Sequence, residues 1–193
     1  EESFVTGSIV TDASGSEANG GIVGEAWGAV AILNSGAKVN VTRGGGLIGE
    51  TNRAITITNS YAAGSSTGGL VAVDNGPSIT APNAFWDTTV GAQITASNVG
   101  KGRATSQMQD AATFANAGWA IASCIGNECT GNTDAPVWAI RPNEYPVLCA
   151  LEDDVMCSAG DSDGSSSAAA LALTDVDSDE LTRQRLRNLP FDL

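Results

Sequence analysis

The chain has 193 residues, 23 of them Gly, with 5% aromatic and 16% charged residues, no His, and 22 acids against 9 bases. A net charge of −13 opposes nucleic-acid backbones and anionic lipid surfaces, and the lack of His removes the commonest general base and the commonest metal ligand. The length allows one domain or one with an appendage, and no apolar run approaches the ~20 residues that span a bilayer.

The first residues, Glu1-Glu2-Ser3-Phe4, carry neither an initiating Met nor a basic-then-apolar signal, the start expected of a processed product or a fragment. A repeat follows. Gly20-Gly21-Ile22-Val23-Gly24 recurs as Gly45-Gly46-Leu47-Ile48-Gly49 and, imperfectly, as Gly68-Gly69-Leu70-Val71-Ala72, at intervals of 25 and 23. A second box, Ile32-Leu33-Asn34-Ser35, recurs as Ile57-Thr58-Asn59-Ser60 and more weakly as Ala81-Pro82-Asn83-Ala84, and it keeps step with the first. Gly-rich composition alone does not hold two boxes in phase over three copies.

Between the boxes run short alternating or β-branched stretches, Ala29–Leu33, Lys38–Thr42 and Ala54–Thr58, too short for helices and punctuated by Gly, Asn and Ser. About 24 residues that make two or three strands and return to the same phase describe one coil of a parallel β-solenoid, with neighbouring coils ~4.8 Å apart. In that geometry Ile22, Leu47 and Leu70 stack inside, as do Ile32 and Ile57. The asparagines Asn34, Asn59 and Asn83 fall one above another at a turn, and the pairs Gly20-Gly21, Gly45-Gly46 and Gly68-Gly69 supply positive φ or close backbone approach at a bend. These boxes therefore read as structure rather than as a ligand site. A leucine-rich repeat has a similar period, but only Leu33, Leu47 and Leu70 precede position 148 and no helical half-repeat is present.

Gly45–Gly49, Ile57–Gly64 and Gly68–Val71 resemble the GLUG repeat of bacterial surface proteins, adhesins and filamentous-haemagglutinin-like exoproteins. Asn83–Asp87, Gly100–Gly102, Thr105–Met108, Ala112–Phe114, Gly118-Trp119, Val137–Ile140 and Tyr145–Leu148 are similar to the segment that closes such arrays, so the resemblance covers roughly residues 4–148. It departs at Ala72, at Pro82 and in a Cys-bearing insertion at 124–135. The resemblance implies an extracellular parallel β-solenoid with adhesive or scaffold roles and carries no catalytic residues. Its phase aligns Phe4–Gly7 with Tyr61–Gly64, so the first coil is expected to be entered halfway, with residues 1–24 following removed coils or stacking on another molecule.

In the closing segment, Ser106-Gln107-Met108-Gln109 has a capping-box pattern, and Ala111, Ala112, Phe114 and Ala115 form an apolar side before Asn116 and Gly118. One helix of about ten residues is expected. Phe85, Trp86, Phe114, Trp119, Trp138 and Tyr145 hold most of the aromatic area, each able to bury ~150–250 Å², and are expected to plug the last coil. An aromatic sugar-binding platform would use the same residue types. Cys124, Cys129, Cys149 and Cys157 lack the paired short spacings of a zinc site and read as two disulfides made outside the cytoplasm. Each neighbouring pair can close its own loop, and cross-pairing is equally open.

After Cys157 the stretch Ala159–Ser167 is a polar linker. Asp161, Asp163 and Gly164, and the acids Asp175, Asp177 and Asp179, invite a calcium reading, but neither run completes the twelve-residue loop. No cofactor is expected, calcium being the sole candidate. The chain thus divides into β-solenoid coils (1–90), a small mixed cap (91–157) and an acidic tail (158–193). It is expected to be all-β and non-catalytic, a structural or adhesive module of a bacterial surface. Its partners would be copies of itself, another surface protein met through the N-terminal coil and the tail, or a glycan. The rival class is a carbohydrate-binding or carbohydrate-active β-helix, for which Asp87, Lys101 and Arg103 form the only compact mixed cluster, without a second acid in phase.

Overall fold

The spacing of the Gly and Asn boxes reappears as strand register. A computed structural model describes residues 2–10, 18–90, 99–126, 128–151 and 157. Chain contacts separate residues 1–160 from 161–193, and the second unit lies wholly outside the described residues. With it go the expectations placed on the linker, the calcium-like acids and the tail.

After β1 (Ser3–Ile9), the first repeat copy makes β2 (Val23–Ala26), β3 (Val30–Leu33) and β4 (Ser35–Val41). The second copy makes β5 (Ile48–Thr51), β6 (Ile55–Thr58) and β7 (Tyr61–Ala62), and the third β8 (Val71–Asp74), β9 (Ile79–Thr80) and β10 (Phe85–Asp87), followed by β11 (Lys101–Arg103). Each copy gives one strand to each of three parallel sheets, ordered β2-β5-β8, β3-β6-β9 and β1-β4-β7-β10-β11. Val23 pairs with Ile48 and Ile48 with Val71, while Ile32 pairs with Ile57, so equivalent residues of successive copies are direct neighbours. Phe4 pairs with Gly36 and Gly36 with Tyr61, which puts Phe4 in phase with Tyr61.

Alternation explains which side chains turn inward. In β4, Ala37, Val39 and Val41 are buried while Lys38 and Asn40 are exposed, the period of two that a half-buried strand requires. Residues from all three sheets, among them Ala26, Ile32, Ala37, Leu47, Ile57, Ala62 and Leu70, share one apolar core. The third copy is the least regular: Pro77 and Pro82 bracket β9, which is only two residues long.

The closing segment departs from expectation twice. The single helix is instead two short turns, α1 (Thr105–Met108) and α2 (Ala111–Ala115), separated at Gln109-Asp110. Gln107 Oε1 accepts the Ala104 N–H, so the cap starts two residues before Ser106, and Asp110 caps the second turn by accepting from the Ala112 N–H at 2.9 Å. The second difference concerns the aromatic plug. Phe114, Trp119 and Trp138 pack with Tyr61 and Phe85 in a cluster distinct from the inner core. Because Tyr61 alternates with Ala62, which faces the inner core, that cluster lies on the outer face of the five-stranded sheet. The aromatics therefore clad the side of the stack, and only Trp86 joins Val99 against the inner core. Beyond them, β12 (Ile121–Ile125), β13 (Glu128–Gly131), β14 (Trp138–Ile140) and β15 (Val147–Leu148) form a mixed sheet of order β13-β12-β14-β15.

Candidate interaction surface

The repeated boxes carry the architecture. Gly20 bridges Gly45, and the Gly46 N–H donates to the Gly69 carbonyl at 2.6 Å, so the glycine pairs form a column across the copies. The reason is proximity: a Cβ on Gly46 would collide with the Ala62 methyl and stand 2.8 Å from the Gly69 carbonyl. Of the six box glycines only Gly69 has a positive φ, 56°. Asn34 and Asn59 both take φ 47°, the left-handed conformation that Asn tolerates best among residues with a Cβ. Asn83, in the irregular third copy, does not share it.

The polar ladder runs through the residues after Asn34 and Asn59, for which the sequence raised no expectation, and Ala84 takes that place in the third copy. Ser60 Oγ accepts the Ser35 N–H at 3.0 Å and donates to the Thr58 carbonyl, while Ser35 Oγ donates to the Leu33 carbonyl. Both serines are buried, and their place in the box was the signal available. Asn34 Nδ2 instead donates to Glu2 Oε1.

Asp87, the acid of the mixed cluster, is buried and turned into the protein. Its Oδ2 accepts from the Thr105 hydroxyl at 2.6 Å and the Tyr145 hydroxyl at 2.7 Å, and its Oδ1 accepts from the backbone N–H groups of Thr89 and Val90. Arg103 lies beside it in register but sets its guanidinium over the Phe85 ring, 5.6 Å from the centroid. Asp87 thus ties β10 of the clad sheet to the closing segment. Burial, then the hydrogen bond and charge of Asp87, push the Tyr145 phenol up to about 12. Burial and the nearby Tyr145 hold the Tyr61 phenol well above its usual value, and its hydroxyl donates to the Pro146 carbonyl at 2.5 Å.

The cysteines pair locally, Cys124 with Cys129 and Cys149 with Cys157. Cys124 and Cys129 stand directly opposite each other on β12 and β13. Both bridges pack around Ala122 and Ala139 of the closing segment. Among the described residues no group of three or more Asp, Glu or Cys is placed to hold a metal, and no helix is long and apolar enough to cross a membrane.

Of the aromatics suited to a sugar platform, Phe85, Phe114, Trp119 and Trp138 are buried and Trp86 and Tyr145 half-buried, whereas Trp27, at the corner after β2, is 67% exposed. Trp27 stands at one end of the stack. There, among the described residues, β2 and β3 are the outermost strands of their sheets, while β1 rises one strand further on the third. The step leaves a hollow of about 270 Å³ lined by Ser3, Ile22, Val23, Val30, Ile32 and Ser35. The opposite end is closed differently: Trp86 and Val99 pack against the core, and Gly100 sits against Leu70 and the Ala84 carbonyl. The two ends therefore differ: one is stepped and exposes Trp27, and at the other Trp86 and Val99 lie against the core.

No family model, no curated protein and no solved structure matches this chain.

Proposed function

We propose that the three sheets are the faces of a parallel β-solenoid and that the chain is a non-catalytic extracellular module of a bacterial cell surface. It serves as a segment of a large adhesin or as a subunit of an extracellular filament. The observation that carries this reading is the register: three copies, each one strand per sheet, with equivalent residues paired directly. Such stacking makes a stiff body whose outer faces can display side chains over a long distance. The GLUG-like boxes at Gly45–Gly49 and Gly68–Val71 support the surface assignment, and two disulfides are compatible with an oxidising compartment. Asp87 supports a role without turnover, since its oxygens are occupied by donors within the fold.

The test joins a glycan array and a polysaccharide-degradation screen on the purified chain with negative-stain microscopy of the same material. Saturable glycan binding without product release, or ordered rods, is the expected result. Release of new reducing ends from any polysaccharide would overturn it, as would the absence of both binding and assembly.

A further inference from the structure

We infer that Asn75 is a self-modification site: the step Asn75-Gly76 closes on itself through a succinimide and opens with water to aspartate or isoaspartate, while the chain's other such step, Asn19-Gly20, is held unreactive by the fold. The inference needs neither a partner nor the closure of the three sheets into a solenoid.

The sequence holds Asn-Gly twice, at 19–20 and at 75–76. With no Cβ on the second residue, its backbone nitrogen reaches the side-chain carbonyl carbon of the first with least hindrance. The bond from the Gly nitrogen to Cγ forms and the Cγ–Nδ2 bond breaks, the amide proton leaving with Nδ2 as ammonia. Water then adds to one of the two ring carbonyls and breaks its bond to nitrogen. Opening at Cγ leaves aspartate, and opening at the main-chain carbonyl leaves isoaspartate. Water is the sole co-reactant, and nothing is oxidised or reduced.

Both steps have the same chemistry along the chain, so the fold decides between them. Gly20 is buried and bridges Gly45, and a Cβ on it would collide with the Val23 carbonyl and the Gly49 nitrogen. The Asn19 carbonyl accepts the Gly45 N–H at 2.9 Å and Asn19 Nδ2 donates to the Arg43 carbonyl at 3.1 Å. Turning the Gly20 nitrogen onto Asn19 Cγ would therefore break into the glycine column. Asn75 is exposed and lies one residue past the end of β8. Its own N–H donates to the Thr51 carbonyl at 2.8 Å, which fixes where the chain leaves the strand. The two groups that react are tied only to surface side chains: Asn75 Nδ2 donates to Glu50 Oε1 at 2.9 Å, and the Gly76 N–H donates to Asp74 Oδ1 at 3.0 Å. Exposed side chains change rotamer in picoseconds to nanoseconds, so both ties open without disturbing a strand. A Cβ on Gly76 would stand 2.5 Å from the Arg53 carbonyl, so the glycine that makes the step reactive is also one the corner requires.

The product changes what Glu50 meets. A carboxylate replaces the amide donor, beside Asp74 and opposite a Glu50 that already stands in register with Glu25. Like charges set opposite each other on neighbouring strands are destabilising, and isoaspartate also lengthens the main chain by a methylene. Conversion therefore loosens the corner between β8 and β9, in the least regular copy, and leaves the first two copies as they were.

Incubation of the folded full chain at body temperature in mildly alkaline buffer, followed by trypsin and peptide fragmentation, reads both steps, because Lys38, Arg43 and Arg53 lie between them. Methylation by an isoaspartyl methyltransferase reports the isomer. Expected are conversion at Asn75 at least tenfold faster than at Asn19, with isoaspartate formed, and similar rates at the two steps in the urea-unfolded chain. Asn75→Asp is expected to lower the urea midpoint, and Glu50→Gln in the same chain to restore it, because the Gln amide returns a donor to the pair. Equal rates at the two steps in the folded chain overturn the site, as does conversion at Asn75 no faster than at Asn59 or Asn83, which no glycine follows. An Asn75→Asp chain as stable as its parent overturns the loosening of the third copy.

Discussion

Glycine at position 46 shows how little room the repeat leaves at its bends. Its backbone lies against the Ala62 methyl of its own copy and the Gly69 carbonyl of the next, so Gly46→Ala must displace one or both. The expected cost is about 1–3 kcal/mol, the usual penalty for overpacking, measured as a lower urea midpoint. Gly28, where an added Cβ meets nothing within 4 Å, is the control, and Gly28→Ala is expected to change stability by less than about 0.5 kcal/mol. The comparison separates crowding from backbone freedom, because neither glycine has a positive φ. Asp87 is the other residue on which much converges. Two hydroxyls and two backbone amides bind a carboxylate that is almost fully removed from water, and this arrangement keeps a buried charge tolerable without a cation.

Among the elements, the clad sheet differs from the other two in having side chains packed on both faces. Its inner face meets the common core through Ala37, Val39 and Ala62, and its outer face meets the aromatic cluster through Tyr61 and Phe85. Trp119 is the hinge pin of that outer contact: its ring lies 5.0 Å from Trp138, 4.8 Å from Phe114 and 5.9 Å from Phe85, and its indole N–H donates to the Asn83 carbonyl. Trp119→Ala is expected to cost about 3–5 kcal/mol. Near-ultraviolet circular dichroism should lose its aromatic signal while the far-ultraviolet β signal of the three sheets persists at low denaturant. Simultaneous loss of both signals would mean that the cladding and the stack fold as one element. The disulfides belong to this closing segment. Each closes a short loop, Cys124 to Cys129 over 5 residues and Cys149 to Cys157 over 8, so reduction is expected to cost about 2 kcal/mol per bridge. Thermal melts with and without reductant check the figure, and amide exchange in β5 and β6 should not change.

For the whole molecule, alkaline pH tests the contact between stack and closing segment. The Tyr145 phenol is raised from 10.0 to about 12 in the fold, so the folded state holds its proton where the unfolded chain has lost it. That contribution is complete below about 10 and disappears as pH rises through about 12, and Tyr61 adds a shift of the same sign. Stability is therefore expected to fall across this window, with tyrosinate absorbance rising together with unfolding. Tyr145→Phe should flatten the dependence. Urea midpoints of both proteins across the window check the sign, and identical slopes would remove Tyr145 as a contributor. In the opposite direction, the like charges of a chain at −13 repel one another, and moderate salt should raise stability.

The period was legible in the residues because each copy repeats the same local demands. A close approach at Gly45-Gly46, a left-handed turn at Asn59 and an inward Ile57 have counterparts at Gly20-Gly21, Asn34 and Ile32, while the third copy keeps the glycine approach but not the left-handed Asn. All-β character and parallel pairing followed from that. Asn34 and Asn59 take the left-handed turn and Asn83 does not, Leu47 and Leu70 turn inward, and the buried polar ladder of Ser35 and Ser60 was not apparent from spacing alone. What the chain order could not express was the side on which the closing segment lies. Its aromatics are equally suited to ending a core or covering a face, and the choice turned on Tyr61 and Phe85 pointing outward, a consequence of alternation relative to Ala62. Cysteine pairing was likewise open until β12 and β13 set Cys124 opposite Cys129. The one-strand step at the near end arises from β1 pairing with β4 alone. Local propensity and spacing act within a copy and between successive copies, so they are written along the chain; contacts between distant segments depend on which faces remain apolar after the sheets have formed, and only tertiary packing decides that.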